Sequence, residues 1–131
     1  MPPRWTSSSP IHGMTEDGSD SPPLLSVRDL QVSLGHPRIE AVRGVSFSIQ
    51  PGEILGLAGE SGSGKSVASL SLTRLLPGTA RARYGGSVQL AGVPGNLLTL
   101  NERRLRRLRG RRIACIFQEP SSSFNPVHTI G

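Results

Sequence analysis

The 131-residue chain is short of lysine, cysteine, aromatic residues and long apolar runs, and each shortage closes a class of explanation. Its single cysteine, Cys115, excludes an internal disulfide, and the three histidines at 12, 36 and 128 add no zinc-ligand spacing. A cytosolic setting is therefore expected. Uninterrupted apolar runs such as 54–59 and 113–117 reach about half a dozen residues, against roughly 18 or more for a membrane-spanning helix. The opening residues carry Ser, Pro, Gly, Asp and Glu with no apolar h-region, so no secretory signal is expected there. Neither a repeat array nor a coiled-coil heptad is present, and the length suits one ordinary domain at most.

Fourteen of the fifteen cations are arginine, and the one lysine is Lys65. Residues 103–112 hold seven arginines and no acid, and removing them takes the net charge from +6 to −1. The basic character belongs to one segment. Such a segment invites phosphate binding, including nucleic acid. Leu105 and Leu108 nevertheless form a narrow apolar edge with arginines around it, the pattern of a surface helix facing solvent or lipid headgroups. No aromatic is interleaved to stack on bases, so no specific nucleic-acid partner is expected.

Residues 1–23 lack any period and are expected to form a disordered leader, with one α/β unit over 24–131. Val27, Leu30, Val32 and Leu34 mark a strand over 24–34, and Gly35, His36 and Pro37 a turn. A second apolar stretch covers 41–49, where Val45, Phe47 and Ile49 share one face of a half-buried strand. Residues 53–58 are nearly all apolar, the pattern of a strand buried on both faces of a parallel sheet. A helix is expected over 65–76, stopped by Pro77 and Gly78. A strand over 86–91, a short helix ending before Gly110 and a buried strand over 113–117 complete the pattern. Thr99 with Glu102 fits a capping box for that helix, while Asn101 gives Leu100 and Leu105 the spacing of a hydrophobic staple, so both caps stay open. Cys115 falls in the last strand, where a packing role is expected.

The decisive feature is the octet 59–66, which fits G-x-x-x-x-G-K-S/T at every fixed position and lies between a strand and a helix. A loop of this kind wraps backbone N–H groups around phosphate oxygens, its glycines adopt the necessary angles, and the following helix dipole favours the anion. Lys65 is placed to reach the β- and γ-phosphates and Ser66 to ligate magnesium. The pattern arises in roughly one of several hundred random chains of this length. The dinucleotide fingerprint G-x-G-x-x-G is absent.

Together with Ala41-Val42-Arg43-Gly44-Val45-Ser46-Phe47 before the loop and Leu108-Arg109-Gly110-Arg111-Arg112-Ile113-Ala114-Cys115-Ile116-Phe117-Gln118-Glu119-Pro120 after it, the octet resembles the ATP-binding subunits of ABC transporters. The final stretch, Phe124-Asn125-Pro126-Val127-His128-Thr129-Ile130-Gly131, resembles the importers of peptides and nickel. The resemblance implies a P-loop NTPase fold and transport-coupled ATP hydrolysis. It assigns ATP binding to Gly59, Glu60, Ser61, Gly62, Ser63, Gly64, Lys65, Ser66 and Val67, catalytic roles to Lys65 and Gln118, and Mg2+ to Ser66 and Gln118. Gln118 would be the Q-loop glutamine, whose amide both donates and accepts without adding charge beside a triphosphate. The implied partners are a second ATPase subunit, homo- or heterodimeric, membrane permease subunits and, indirectly, a solute-binding protein. The implied location is the cytoplasmic face of the plasma membrane.

The family's adenine-stacking aromatic is matched here by Leu34, so stacking is expected to be weaker or to come from another residue such as His36. The signature LSGGQ, the Walker B aspartate, the catalytic glutamate and the switch histidine follow the Q-loop in the family. The 131 residues are thus expected to be the first part of a domain, inactive alone and prone to aggregate. Glu60 and Glu119 are not expected to replace the missing base. The alternatives are a non-catalytic remnant or interaction fragment, or a basic nucleic-acid-binding module.

Overall fold

The structure is a computed structural model and describes residues 21–117. Its frame is a three-stranded antiparallel sheet in the order β2-β1-β3, formed by β1 (Leu25–Leu34), β2 (Ile39–Ile49) and β3 (Arg83–Leu90). Two short helices accompany it, α1 (Lys65–Ser71) and α2 (Glu102–Leu108), with a 3-10 turn at Gly78–Ala80.

The period-two pattern of β1 carries the core, with a deliberate slip. Leu25 and Val27 are buried, Arg28 and Asp29 are both exposed, and burial resumes at Leu30 and Val32. Asp29 takes a left-handed backbone (φ 48°), the register shifts against both neighbouring strands there, and its N–H donates to Ser46 Oγ at 2.8 Å. A bulge of this type adds a residue and restores the apolar phase beyond it. Gly86 faces that bulge with φ 83°, and a Cβ there would overlap the carbonyl oxygens of Arg28 and Asp29. Only glycine fits so close an approach.

Below the sheet, Leu97, Leu98 and Leu100 pack with Val27, Leu30, Val32 and Val88. Asn96 holds their loop in place: its Oδ1 accepts from the N–H groups of Val88 and Leu98, at 2.9 and 3.1 Å, and its Nδ2 donates to Gly86 O at 3.0 Å. At α2, Asn101 is the N-cap, its Oδ1 accepting from Arg104 N at 2.9 Å, which decides between the two caps open in the sequence. Leu105 is fully buried and Gly110 follows the helix with φ 76°, as expected.

Three expectations are corrected. The helix after the loop ends at Ser71, not at 76. Arg74 turns left-handed, its N–H donates to Ser71 O at 3.0 Å and Leu75 N to Leu70 O at 2.9 Å, which closes the helix, and the carbonyls of Thr73 and Arg74 beyond it are taken by the Arg109 guanidinium. Residues 53–58 form no strand, and every residue from 50 to 62 is exposed, Ile54 to 96%. Residues 113–117 likewise form no strand beyond one bridge from Ile113 to Arg109, and Ile116 is 96% exposed. A strand buried on both faces of a parallel sheet needs ladder partners and a covering layer, and neither segment has them among the described residues. Cys115 is accordingly half-buried and not sealed in a strand, with its Sγ 3.7 Å from Thr73 Oγ1.

Residues 1–20 and 118–131 lie outside the described residues, and with them nearly all of the expected leader, Gln118, Glu119 and the 124–131 stretch. No helix among the described residues is long and apolar enough to cross a membrane.

Candidate functional site

The loop that carries the octet is placed by β2. Gly64 has φ 88°, and a Cβ on it would run into the Ala41 carbonyl oxygen, so the loop lies directly on the strand that precedes it. Gly62 also has a positive φ (79°), and Ser63 N donates to Glu60 O at 3.2 Å, which curls the chain into a concave turn.

The start of α1 is open. Its N-cap is Gly64, no side chain caps it, and the first helical bond runs from Ala68 N to Gly64 O at 2.8 Å. The N–H groups of Lys65, Ser66 and Val67 precede that bond and have no intrahelical acceptor, as in the first turn of any helix. A serine or aspartate cap would have filled this position with its own oxygen. With glycine there, the donors stay available to an outside anion, and the helix dipole favours one.

Lys65 folds back over the loop. Its Nζ donates to Gly59 O and Glu60 O, both at 2.6 Å, and to Ser63 Oγ at 3.1 Å. All three ammonium donors are thus held over the concave side of the turn. Glu60 contributes its carbonyl to this contact, and the residue is exposed. Ser66 is exposed beside the lysine, at the second position of the helix.

The loop borders a cleft of about 690 Å³. One wall is residues 61–67; the other is Ile39, Glu40, Ala41 and Arg43 of β2. Lys65, Ser66, Val67 and residues 61–64 line one cleft together, whereas Gly59 and Glu60 enter through their carbonyl oxygens bonded to Lys65. The β2 wall was not foreseen in the sequence. Ile39, 68% exposed just after a turn, is the largest apolar side chain of that wall, and its exposure shows only in the folded chain, so no sequence signal marks it. Leu34 pairs with Ile39 but packs toward the core and does not line the cleft, and neither does His36.

Among the described residues no group of three or more His, Cys, Asp or Glu is placed to hold a metal. The donor present in the cleft is the Ser66 hydroxyl, and a single hydroxyl joined by the oxygens of a phosphate ligand suits magnesium, an ion seldom caged by protein groups alone.

Comparison with known proteins agrees with this geometry. The chain is 50% identical over 110 residues to a probable peptide ABC transporter ATP-binding protein, y4tR, of Sinorhizobium fredii, covering 82% of this chain and 32% of that protein. It is 49% identical over 114 residues to the peptidoglycan transport ATP-binding protein YejF of Agrobacterium fabrum, covering 86% and 20%. To the oligopeptide transport ATP-binding protein OppD of Mycobacterium tuberculosis it is 46% identical over 112 residues, covering 83% and 18%. The chain spans about a third of the length of the first relative and about a fifth of the other two. The profile of the family described as ABC transporter matches residues 42–131, from the strand under the loop onward. Matched over more than half its length and through the whole phosphate loop, the chain belongs to the ABC transporter family.

Proposed function

We propose that the chain carries the phosphate-binding part of an ATP-binding subunit that couples ATP hydrolysis to uptake of peptides across a membrane. One observation carries the reading: the Lys65 ammonium is held over a concave glycine loop at an uncapped helix start, beside an open cleft. The peptide assignment follows the names of the relatives, which are peptide, peptidoglycan and oligopeptide transport proteins.

In this reading a triphosphate lies along residues 59–67, with Gly59, Glu60, Ser61, Gly62, Ser63 and Gly64 shaping the turn. The N–H groups of Lys65, Ser66 and Val67 donate to phosphate oxygens. Lys65 exchanges its carbonyl partners for the β- and γ-phosphates, and a charge-assisted bond to phosphate replaces a neutral one. Ser66 and Gln118 hold Mg2+, which supplies charge neutralisation at the phosphates. Gln118 also orients water and reports the permease contact. Ile39 offers an apolar wall to the base in place of an aromatic stack. The subunit works as a pair with a second ATPase subunit, docked on permeases at the cytoplasmic face of the membrane and served indirectly by a solute-binding protein.

Equilibrium titration with ATP and Mg2+ tests the site. Lys65→Ala is expected to weaken binding about ten- to a hundredfold, the worth of a hydrogen bond to a charged group. Unchanged affinity in a folded variant contradicts it.

A further inference from the structure

The nucleotide reading leaves the arginine segment unused, and its arginines separate into two kinds. Arg109 and Arg112 are bonded to the body of the chain: Arg109, half-buried, donates to Thr73 O, Arg74 O and Glu102 Oε1, at 2.9, 3.1 and 2.5 Å, and Arg112, itself exposed, to Ala91 O at 2.8 Å. Arg103, Arg104, Arg106, Arg107 and Arg111 are exposed, and their guanidinium groups take part in no ion pair or hydrogen bond among the described residues. The one acid of the helix, Glu102, is already committed to Arg109.

The exposed set is also unfavourable to its own helix. Arg103 repels Arg106 and Arg107 three and four places on, and Arg104 repels Arg107, each pair costing a few tenths of a kcal/mol. Arg103 and Arg104 sit in the first turn, at the positive end of the helix dipole, where cations are disfavoured. An anionic surface removes all of these penalties at once.

We infer that the outer face of α2 is a docking surface for the anionic phosphates of lipid headgroups. Charge complementarity chooses a phosphate, and guanidinium forks suit it. Three observations favour a membrane over other polyanions. Leu105 is buried and Leu108 half-buried against the body, so the outer face lacks the apolar anchor that protein partners use. The segment holds no aromatic to stack on bases. A seven-residue helix with cations all around its exposed face suits a laterally mobile layer of charges better than fixed duplex spacing. Membership in a family of membrane transporters places such a layer within reach. The nucleotide site takes no part in this contact, so its failure would leave the ATP reading standing.

Flotation with lipid vesicles in a density gradient, without nucleotide, tests the inference, because self-associated chain stays at the bottom while vesicle-bound chain rises. The chain is expected to bind vesicles containing phosphatidylglycerol and not vesicles of phosphatidylcholine alone. Replacing Arg103, Arg104, Arg106 and Arg107 together by Gln should weaken binding by about fivefold for each arginine removed. Single variants Arg104→Gln and Arg107→Gln, expected about fivefold weaker each, serve if the quadruple variant loses its far-ultraviolet helix signal. A control with Arg28, Arg38, Arg81 and Arg83 replaced by Gln carries the same charge change and should lose far less. Equal loss in the control, equal binding to phosphatidylcholine, or tighter binding to duplex DNA or an acidic peptide at the same salt overturns the proposal.

Discussion

Gly64 shows how much one residue decides. Its left-handed backbone and its contact with Ala41 O let the loop rest on β2 with the helix start uncovered. Gly64→Ala adds a methyl where a backbone oxygen already stands, in a conformation alanine resists. Thermal melts should show a loss of about 1–3 kcal/mol, and ATP binding should fall with it; an unperturbed melt would contradict the geometry. The octet made this residue legible from the sequence, because the spacing G-K-S/T is meaningful only with that glycine. The Ala41 contact was not legible, since no local pattern announces which strand a loop will touch. Tyr84 gives a second test. Burial of its ring raises the phenol above its ordinary value of 10.0, partly offset by the nearby cations Arg74 and Arg109. The neutral form is the one the fold prefers, so its contribution to stability is present below pH 10.0 and is lost as pH rises through the higher folded value. It is the only tyrosine, so tyrosinate absorbance reads it directly, with a midpoint expected above 10.0 in the folded chain.

Among the elements, the strands of the antiparallel sheet were legible because alternation shows one buried face, and for β1 and β2 because the partner follows directly after a turn, whereas the pairing of β1 with the distant β3 was not. The apparent break of alternation at Arg28 and Asp29 is the bulge. Residues 53–58 and 113–117 read equally well as strands, and their composition is indeed apolar, but a ladder needs partners that composition does not supply. The end of α1 departs from its pattern for a different reason: Arg74 turns left-handed and Leu75 N closes on Leu70 O at 2.9 Å, a cap built without glycine, and Arg109, 35 residues away from Arg74, then holds the Thr73 and Arg74 carbonyls that follow it. The arginine segment as a whole looks solvated, and nothing in its sequence marks Arg109, whose side chain is 21% exposed, as the clasp between the two helices. Arg109→Ala should therefore destabilise the chain by about 2–4 kcal/mol in denaturant unfolding. Asn101→Ala, which removes only the cap, should cost about 1 kcal/mol. A smaller loss at Arg109 than at Asn101 would remove the clasp.

At the scale of the whole molecule, the sheet and its leucines form one core, while Ile54, Leu55, Leu57, Ile116 and Phe117 remain in solvent. Apolar segments without ladder partners associate with one another. The isolated chain is expected to bind an apolar dye and to elute above its monomer size; a monodisperse monomer with a cooperative melt would contradict this. The charge of the molecule divides in the same way. Arginines hold backbone carbonyls at Arg109 and Arg112 and face outward on α2, while the single lysine stands in the loop, where a flexible ammonium can trade carbonyl oxygens for phosphate. The most direct test is therefore to titrate ATP and AMP with Mg2+ into the chain and into Lys65→Ala. Preference for ATP over AMP that disappears with the lysine is the predicted result, and equal binding of both nucleotides by both proteins would contradict a triphosphate site in this loop.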